Sequence, residues 1–205
     1  ITGTAGTSKT ILASYFAMSS CKRKEPTLYF SFEESPDQLE RNMATIGIDF
    51  KQAIQSKLLH IHASRPSLLG LEMHLMVINN LLAELKPRTV IIDPISSLIT
   101  IGNSSEVRAM LVRLMDTLKI NQINALFTSL THEGHSGYNS SALDMVSSLA
   151  DTWINLENEE RNSEMVRSLL IVKSRGMGHT NNKQDFTITN KGIHFTSSSK
   201  KTKST

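Results

Sequence analysis

Eight residues near the start of the chain have the types and spacing of a phosphate-binding loop. Backbone amides of such a loop, together with the start of the following helix, converge on the β- and γ-phosphates of a nucleotide. The ammonium of Lys9 adds a positive charge, and the hydroxyl of Thr10 can ligate Mg²⁺. The segment therefore predicts a site for ATP and Mg²⁺. The predicted nucleotide contacts within it are Gly3, Thr4, Ala5, Gly6, Thr7, Ser8, Lys9 and Thr10.

This loop departs from the pattern GxxxxGK[ST] at one position, where Ser8 replaces the second glycine. Glycine at that position lets backbone and phosphate approach closely. We predict that Ser8 is tolerated with a negative φ, as expected at the first turn of a helix. We expect the departure to affect the rate of turnover more than the binding of nucleotide.

Acidic side chains follow two of the predicted strands. Asp93 ends the apolar run 89–93, where phosphate-loop proteins place a carboxylate that organises Mg²⁺. Glu33 and Glu34 come directly after the strand at 27–32. Ligands bind at the carboxyl ends of parallel strands, so both glutamates are expected to face the γ-phosphate. One of them is then placed to accept a proton from an attacking water or hydroxyl. The alternative is that both are solvated residues at a helix start.

The elements that position these residues alternate between strand and helix over the first 130 residues. Apolar patterns predict helices at 10–21, 35–47, 68–85 and 104–120, and strands at 27–32, 58–63, 89–93 and 124–130. Such alternation predicts an α/β fold with a largely parallel central sheet flanked by helices. Later strands at 152–156, 169–173 and 186–189 predict an antiparallel C-terminal extension. Because only Ile1 and Thr2 precede the loop, we expect the first strand to be missing from this chain.

Size and composition predict one folded domain and a short tail. Hydrophobic residues make up 39% and charged residues 20% of the 205 residues, an ordinary balance for a globular domain. The net charge of +3 comes from Lys200, Lys201 and Lys203, because the other 19 basic residues balance 19 acidic ones. We predict one folded domain over 1–195 and a basic, disordered tail over 196–205.

The composition also argues against several partners. It gives no basic stripe for nucleic acid, and no apolar run approaches the roughly 20 residues that span a bilayer. The single Cys21 allows no intrachain disulfide, which suits a reducing compartment. We therefore expect a cytoplasmic protein that binds neither nucleic acid nor membrane. No zinc site is expected from the histidines, because their spacing lacks partner ligands.

Seven further segments form a specific combination. They read FSFEESP (30–36), QLERN (38–42), LEMHL (71–75), IDPISSL (92–98), ALFTS (125–129), VKSRGMGH (172–179) and NKG (190–192). Together they resemble the KaiC family of circadian-clock ATPases over nearly the whole chain up to about residue 195. The resemblance implies a RecA-like P-loop domain in a homo-oligomer, expected to be a hexamer with ATP at subunit interfaces. Clock or signalling regulators are the further partners that it implies.

The resemblance also implies roles for residues outside the phosphate loop. The paired glutamates of the family are its catalytic acids, and they map onto Glu33 and Glu34. Family residues that reach the nucleotide of the neighbouring subunit map onto Lys173, Arg175 and His179. Cations supplied across an interface would neutralise charge that develops on the γ-phosphate. On the residues alone, an exposed basic turn is the other interpretation of this last group.

A further segment resembles the second, autokinase domain of the family. Adjacent hydroxyls that accept phosphate in that domain map onto Ser147 and Ser148. A third family hydroxyl maps onto Ala142 and is therefore absent. The resemblance implies autophosphorylation of the serine pair, although two serines before a strand are also common without any such role.

The resulting hypothesis is a KaiC-like protein that hydrolyses ATP and phosphorylates its own Ser or Thr residues. A RecA-type DNA-dependent ATPase shares the fold and the nucleotide site. Its DNA-binding loops need basic and aromatic residues, whereas the stretch 131–142 has no Lys or Arg and only Tyr138 for stacking. A nucleotide-gated signalling scaffold with little turnover is the third interpretation, and Ser8 keeps it open.

Overall fold

The computed structural model describes residues 1–131 and 149–196, in which strands and helices alternate before a run of antiparallel strands. The strands are β1 (Thr2–Gly3), β2 (Thr27–Ser31), β3 (Leu59–Ala63), β4 (Thr89–Asp93), β5 (Asn124–Phe127), β6 (Ser129–Leu130), β7 (Thr152–Arg161), β8 (Glu164–Ser174), β9 (Gln184–Thr189) and β10 (Gly192–Phe195). The helices are α1 (Lys9–Lys22), α2 (Pro36–Ala44), α3 (Lys51–Gln55), α4 (Leu71–Leu85) and α5 (Ser104–Ile120), with 3₁₀ helices at Pro66–Leu68 and Ile95–Thr100.

Within the described ranges the strands form two sheets. One is parallel, in the order β3, β2, β4, β5, and the other has the order β10, β9, β8, β7, β1, β6. β1 is parallel to β6 and β7. From β7 to β10, each strand is antiparallel to its neighbour. The chain connects the sheets where it passes from β5 to β6 through Thr128. The predicted parallel sheet with antiparallel C-terminal strands is thereby confirmed.

The strand that leads into the phosphate loop is represented by β1. Thr2 pairs with Ser129 on one side and Asn155 on the other, and Gly3 continues both ladders. The loop therefore leaves the sheet from a position between two parallel neighbours. A cavity of about 470 Å³ lies beside Ile1, between β5 and the start of β7.

Two hydrophobic cores cover the two faces of the parallel sheet. Because side chains alternate along a strand, Leu28 and Phe30 of β2 pack with α4 and α5, whereas Tyr29 packs with α1 and α2. On β4, Ile91 belongs to the α1 side. The same alternation brings Asp93, two residues further on, to the side that carries the phosphate loop.

The start of α2 is encoded locally. Ser35 caps the helix in a reciprocal arrangement with Gln38, and Pro36 occupies the first helical position. The Ser35 side chain accepts a hydrogen bond from the Gln38 backbone N–H, while the Gln38 side chain accepts one from the Ser35 backbone N–H. This cap confirms the predicted helix start and places Glu33 and Glu34 in the short connection between β2 and α2.

The antiparallel extension is longer than predicted. β7 and β8 run for 10 and 11 residues and meet at a two-residue turn, where Asn162 and Ser163 both have positive φ. The apolar pattern stops at Leu156 because the outer half of the hairpin carries charged residues. Lys183 and Arg161 pair there with acidic side chains of β7 and β9. Hydrophobic patterning therefore missed half of β7, and it missed β10 altogether.

Candidate nucleotide-binding site

The phosphate loop is pressed against β7 at its first glycine. A Cβ on Gly3 would lie 2.5 Å from the carbonyl oxygen of Leu156 and 2.7 Å from Thr7 Oγ1. Gly6 has a φ of 77°, and the nearest atom to a Cβ there would be Asn158 Nδ2 at 3.8 Å. Gly3 therefore allows a close contact with the sheet, whereas Gly6 gives the loop its left-handed turn and an exposed outer side.

Ser8 has a φ of 76° and a ψ of 28°, so the predicted negative φ is wrong. This left-handed conformation costs an L-residue roughly 1–2 kcal/mol, which explains the glycine in the general pattern. The chain needs this conformation to turn from the loop into α1, and the local preference of serine is overridden. Ser8 is the N-cap of α1 but makes no side-chain capping bond. The first amides of the helix are thus left without a side-chain cap, as suits a helix that binds phosphate.

Lys9 folds back over the loop from the first position of α1. Its Nζ donates hydrogen bonds to the carbonyl oxygens of Gly3 at 2.9 Å and Thr4 at 2.7 Å. Burial lowers the pKa of Lys9, while the negative charges of Asp93 and Glu33 act in the opposite direction. The lysine thus shares one electrostatic environment with an acid from the end of β4 and another from the segment after β2.

Asp93 is buried and held by two hydroxyl groups. Tyr29 Oη donates to Oδ2 at 2.6 Å, and Thr128 Oγ1 donates to Oδ1. Tyr29 and Thr128 have no exposed surface. Burial, followed by the charge of Asp93, raises the pKa of Tyr29 well above its ordinary value, so the phenol remains a donor. Thr10, the second residue of α1, is half-buried at the start of the helix that covers this face.

The paired glutamates have different partners. Glu33 is exposed, and its Oε1 accepts a 2.9 Å hydrogen bond from Ser97 Oγ. Glu34 is half-buried, and its Oε2 accepts a 2.8 Å bond from Asn42 Nδ2 of α2. Its backbone N–H also donates to Ser31 Oγ at 3.1 Å. Glu34 is therefore tied to β2 and α2, whereas Glu33 is the member of the pair whose charge acts on Lys9.

Three hydroxyl-bearing residues of this site were not singled out from the sequence: Tyr29, Ser97 and Thr128. Tyr29 sits in an apolar run and has the pattern of a core residue. The period of two does place it on one face of β2, but its contact with Asp93 depends on which strand is the neighbour. Ser97 lies in the 3₁₀ helix after β4 and is distant from Glu33 in sequence. No local signal identifies that contact.

Two of the three nucleotide contacts predicted outside the phosphate loop, Lys173 and Arg175, lie away from the loop of the same chain, at the level of the start of β7. In the β7–β8 hairpin Lys173 pairs with Trp153, whereas Gly3 at the start of the loop pairs with Leu156. About 10 Å of strand separates those two positions of β7, at ~3.3 Å per residue. The loop leaves in the opposite direction. Within one chain, the charges of Asp93 and Glu33 thus act on Lys9, whereas Lys173 and Arg175 lie elsewhere.

The cationic group has its own local contacts. The Arg175 backbone N–H donates to the carbonyl oxygen of Asp151 at 2.8 Å, and its guanidinium lies 3.6 Å from Asp151 Oδ1. Desolvation lowers the pKa of Lys173, and the charge of Arg175 adds to that effect. His179 Nδ1 lies 3.3 Å from the carbonyl oxygen of Thr180. Two cations and one acid therefore share the end of β8.

The predicted phosphorylation sites Ser147 and Ser148 lie outside the described residues, as does Ala142, and they stay predictions. Across 1–131 and 149–196, no group of three or more His, Cys, Asp or Glu side chains is arranged to hold a metal ion. In the same ranges, no helix combines the length and the apolar character needed to cross a membrane.

A phosphate loop after a short inner strand, an acid at the end of one strand of the parallel sheet and a further acid after the adjacent strand of that sheet define a P-loop nucleotide-binding domain. A family model described as "ATPase: KaiC" matches residues 1–200. The chain is 43% identical over 194 residues to circadian clock protein KaiC2 of Synechocystis, covering 94% of this chain and 34% of that protein. It is 34% identical over 194 residues to the circadian clock oscillator protein KaiC of Thermostichus vulcanus, covering 95% of this chain and 37% of that protein.

The chain belongs to the KaiC family of ATPases, and its domain is RecA-like. The family and fold that the sequence predicted are thereby confirmed. The chain spans about a third of the length of these relatives. A similar match to KaiC of Synechococcus elongatus, 34% identical over 191 residues, covers 93% of this chain and 37% of that protein.

Proposed function

We propose that this domain binds Mg²⁺·ATP and transfers the γ-phosphate to water. The observation that carries the proposal is the convergence of three groups at the carboxyl edge of the parallel strands. Asp93 ends β4 and Glu33 follows the adjacent strand β2, whose ladder reaches Asp93 through Ser31 and the Phe32 backbone N–H. Lys9 lies at the start of α1, and the charges of both acids oppose the lowering of its pKa by burial. A cation for phosphate, an acid for the metal and an acid for the nucleophile are the parts that phosphoryl transfer requires. Membership of an ATPase family supports this proposal.

The residues present suit both ligands. The start of α1 has no side-chain cap, and Lys9 donates to loop carbonyls that phosphate oxygens can replace as acceptors. The Thr10 hydroxyl and the Asp93 carboxylate are the hard oxygen ligands that Mg²⁺ prefers, acting directly or through water. When bound, Mg²⁺ would neutralise charge on the β- and γ-phosphates. Ala5, Thr7, Ser8 and the two loop glycines contribute backbone amides.

Glu33 serves as the base in this mechanism. It accepts a proton from the attacking water as the bond from the water oxygen to the γ-phosphorus forms. The bond from that phosphorus to the β,γ-bridging oxygen breaks, which yields ADP and inorganic phosphate. Glu34 keeps α2 attached to the end of β2 through Asn42, so its part is structural.

The cationic group acts on the nucleotide of a neighbouring subunit. Lys173 and Arg175 lie at the end of β8, away from the loop of their own chain, which suits a head-to-tail ring with ATP at each interface. There Lys173, Arg175 and His179 neutralise charge on the γ-phosphate from outside the subunit. We propose a homo-oligomer of this kind, with six subunits as the resemblance implies.

The transfer also extends to the protein itself. Ser147 and Ser148 are the proposed acceptors, with the serine hydroxyl in place of water as nucleophile. The support is the likeness of their segment to the autokinase domain of the family. We further propose a cytoplasmic protein that acts with clock or signalling regulators and without nucleic acid or membrane. The clock names of the relatives support the regulatory role.

Hydrolysis in trans is tested by mixing two variants of the native, full-length protein. Lys9→Ala removes the phosphate cation, and Arg175→Ala removes the cation offered to the neighbour. Each variant is expected to lose about 10²-fold or more in kcat. In mixed rings, roughly a quarter of the interfaces combine an intact loop with an intact Arg175, so activity returns. Phosphate release is the measurement. Mixing without recovery would contradict the shared site.

The alternatives are separated by three further measurements: mass spectrometry, hydrolysis with added single-stranded DNA, and nucleotide binding. Mass spectrometry after incubation with Mg²⁺·ATP is expected to find one or two phosphates on Ser147 or Ser148, lost in Glu33→Gln. Phosphate release without any mass gain would leave a plain ATPase. Hydrolysis stimulated by single-stranded DNA would favour the RecA-type motor. Nucleotide binding without hydrolysis or mass gain would favour the scaffold.

A further inference from the structure

Ser97 connects the segment after β4 to the segment after β2. Its Oγ donates a 2.9 Å hydrogen bond to Glu33 Oε1. The two strands that lead to these residues are neighbours, and the backbone N–H of Phe32 continues their ladder by donating to the carbonyl oxygen of Asp93 at 2.9 Å. The Ser97–Glu33 bond therefore links the segments that follow the carboxyl ends of two adjacent parallel strands.

The backbone that carries Ser97 is anchored from the neighbouring strand. The backbone N–H of Ile95 donates to the carbonyl oxygen of Thr128 at 2.8 Å. Ser96 Oγ accepts a hydrogen bond from the backbone N–H of Leu130 at 3.0 Å. The two adjacent serines therefore have different partners. Ser96 attaches the 3₁₀ helix to β6, and Ser97 donates a hydrogen bond to Glu33.

The Glu33 side chain is exposed and has several rotatable bonds, so its carboxylate has many positions open to it. A base works only within hydrogen-bond reach of the proton that it takes, and a displacement of about 1 Å can cost as much as 10²-fold in rate. The single hydroxyl of Ser97 can hold one of the two carboxylate oxygens. The other oxygen is then left to the attacking water.

We propose that Ser97 is the positioning residue of the catalytic base, holding Glu33 Oε1 so that Oε2 meets the attacking water. This inference rests on the proposed hydrolysis and adds a residue to its machinery. Ser97 acts through Glu33 and does not itself touch the reacting atoms. Its effect should therefore fall on the chemical step and not on the affinity for nucleotide.

The test compares Ser97→Ala with Ser97→Thr in the native, full-length protein. Loss of the hydroxyl is expected to lower kcat about tenfold and to leave KM within about twofold, because ground-state contacts to ATP are intact. Threonine retains a hydroxyl at the same position and is expected to restore kcat to within about threefold of the natural protein. Affinity for a non-hydrolysable ATP analogue is expected to stay within about twofold for both variants.

A double-mutant cycle separates positioning from a structural effect. In Glu33→Gln the base is already lost, so Ser97→Ala is expected to reduce the residual rate by less than about twofold. The matched control is Ser96→Ala, which removes the adjacent hydroxyl that binds Leu130. It is expected to lower the thermal midpoint, and any change in rate should multiply unchanged into the Glu33→Gln background.

Four outcomes decide the matter. A tenfold loss in kcat that disappears in the Glu33→Gln background supports the inference. An unchanged kcat in Ser97→Ala, with hydrolysis intact in the natural protein, overturns the inference alone. An equal loss in both backgrounds also overturns it, because the hydroxyl then acts on something other than Glu33. A natural protein that does not hydrolyse ATP overturns the proposed function together with this inference.

Discussion

The hydroxyl of Tyr29 donates a 2.6 Å hydrogen bond to Oδ2 of Asp93, across two adjacent parallel strands. Tyr29 has no exposed surface, and Asp93 is 6% exposed. Thr128 donates to the other carboxylate oxygen. The acid at the end of β4 is thus oriented from inside the sheet, by hydroxyls of β2 and of the junction between β5 and β6.

Removal of the Tyr29 hydroxyl should destabilise the domain. We expect Tyr29→Phe to lower the free energy of unfolding by about 1–3 kcal/mol, because a buried carboxylate loses a donor and no water replaces it. Urea denaturation at neutral pH is the measurement. Tyr15→Phe is the matched control, because its hydroxyl lies beside Gly192 of β10. That variant should stay within about 0.5 kcal/mol, and equal losses in the two variants would contradict the role of the Asp93 contact.

The same tyrosine predicts a loss of stability in alkali. Burial, with the charge of Asp93 as the second cause, raises the pKa of Tyr29 well above 10, so the folded state keeps a proton that the unfolded state releases. Stability from this group is complete below pH 10 and falls by about 1.4 kcal/mol per pH unit above it. Urea titrations at increasing pH should show this slope in the natural protein but not in Tyr29→Phe. Parallel curves for the two proteins would refute it.

Ser8 offers a test of the left-handed turn. We expect Ser8→Gly to remain within about 1 kcal/mol of the natural protein, because relief of the positive φ is offset by greater freedom of the unfolded chain. Ser8→Val places a β-branched residue at a φ of 76° and should lose about 1 kcal/mol or more, together with affinity for ATP. Thermal unfolding and nucleotide titration are the measurements. A valine variant as stable as the glycine variant would show that the turn has a different conformation.

The ion pairs of the antiparallel extension should weaken in acid, and the domain should become less stable as a result. Hydrogen bonds from Lys183, and then from Arg161, lower the pKa of Glu159 to about 2. A depressed folded-state pKa gives stability that is present above the unfolded value of 4.5 and is lost as pH falls toward 2. We expect Glu159→Gln to cost at most about 1 kcal/mol at neutral pH, because the pairs are partly exposed and screened by salt.

This cost should shrink as the pH falls from about 5 to about 2, and also in about 1 M salt. Glu160→Gln is the control, because Glu160 is the exposed neighbour on the same strand. Urea denaturation of both variants gives the comparison. A difference between them that is independent of pH and salt would indicate that Glu159 contributes through packing and not through its charge.

Short-range sequence patterns were sufficient to predict features that depend only on residues close together in the chain. The cap formed by Ser35 and Gln38 depends on residues within one helical turn, so the start of α2 was predicted from sequence. The apolar run that ends in Asp93 likewise indicated a buried strand. Ser8 was predicted wrongly because the turn into α1 imposes a left-handed conformation that serine does not prefer by itself. The far half of β7 was missed because its charged side chains pair with Lys183 and with Asp185 of β9, which lie far along the chain.

The sequence by itself determined the phosphate loop, the acids that follow two strands, the α/β class and the family. Each of these depends on residue types at short, fixed spacings. Only the tertiary structure decided which glutamate's charge acts on Lys9, which hydroxyls hold Asp93 and Glu33, and that Lys173 lies away from the loop of its own chain. Those relationships depend on strand order and register, which bring together side chains separated by 64 residues in the contact of Ser97 with Glu33. A pattern along one strand carries no information about its neighbour, and the neighbour supplies these partners.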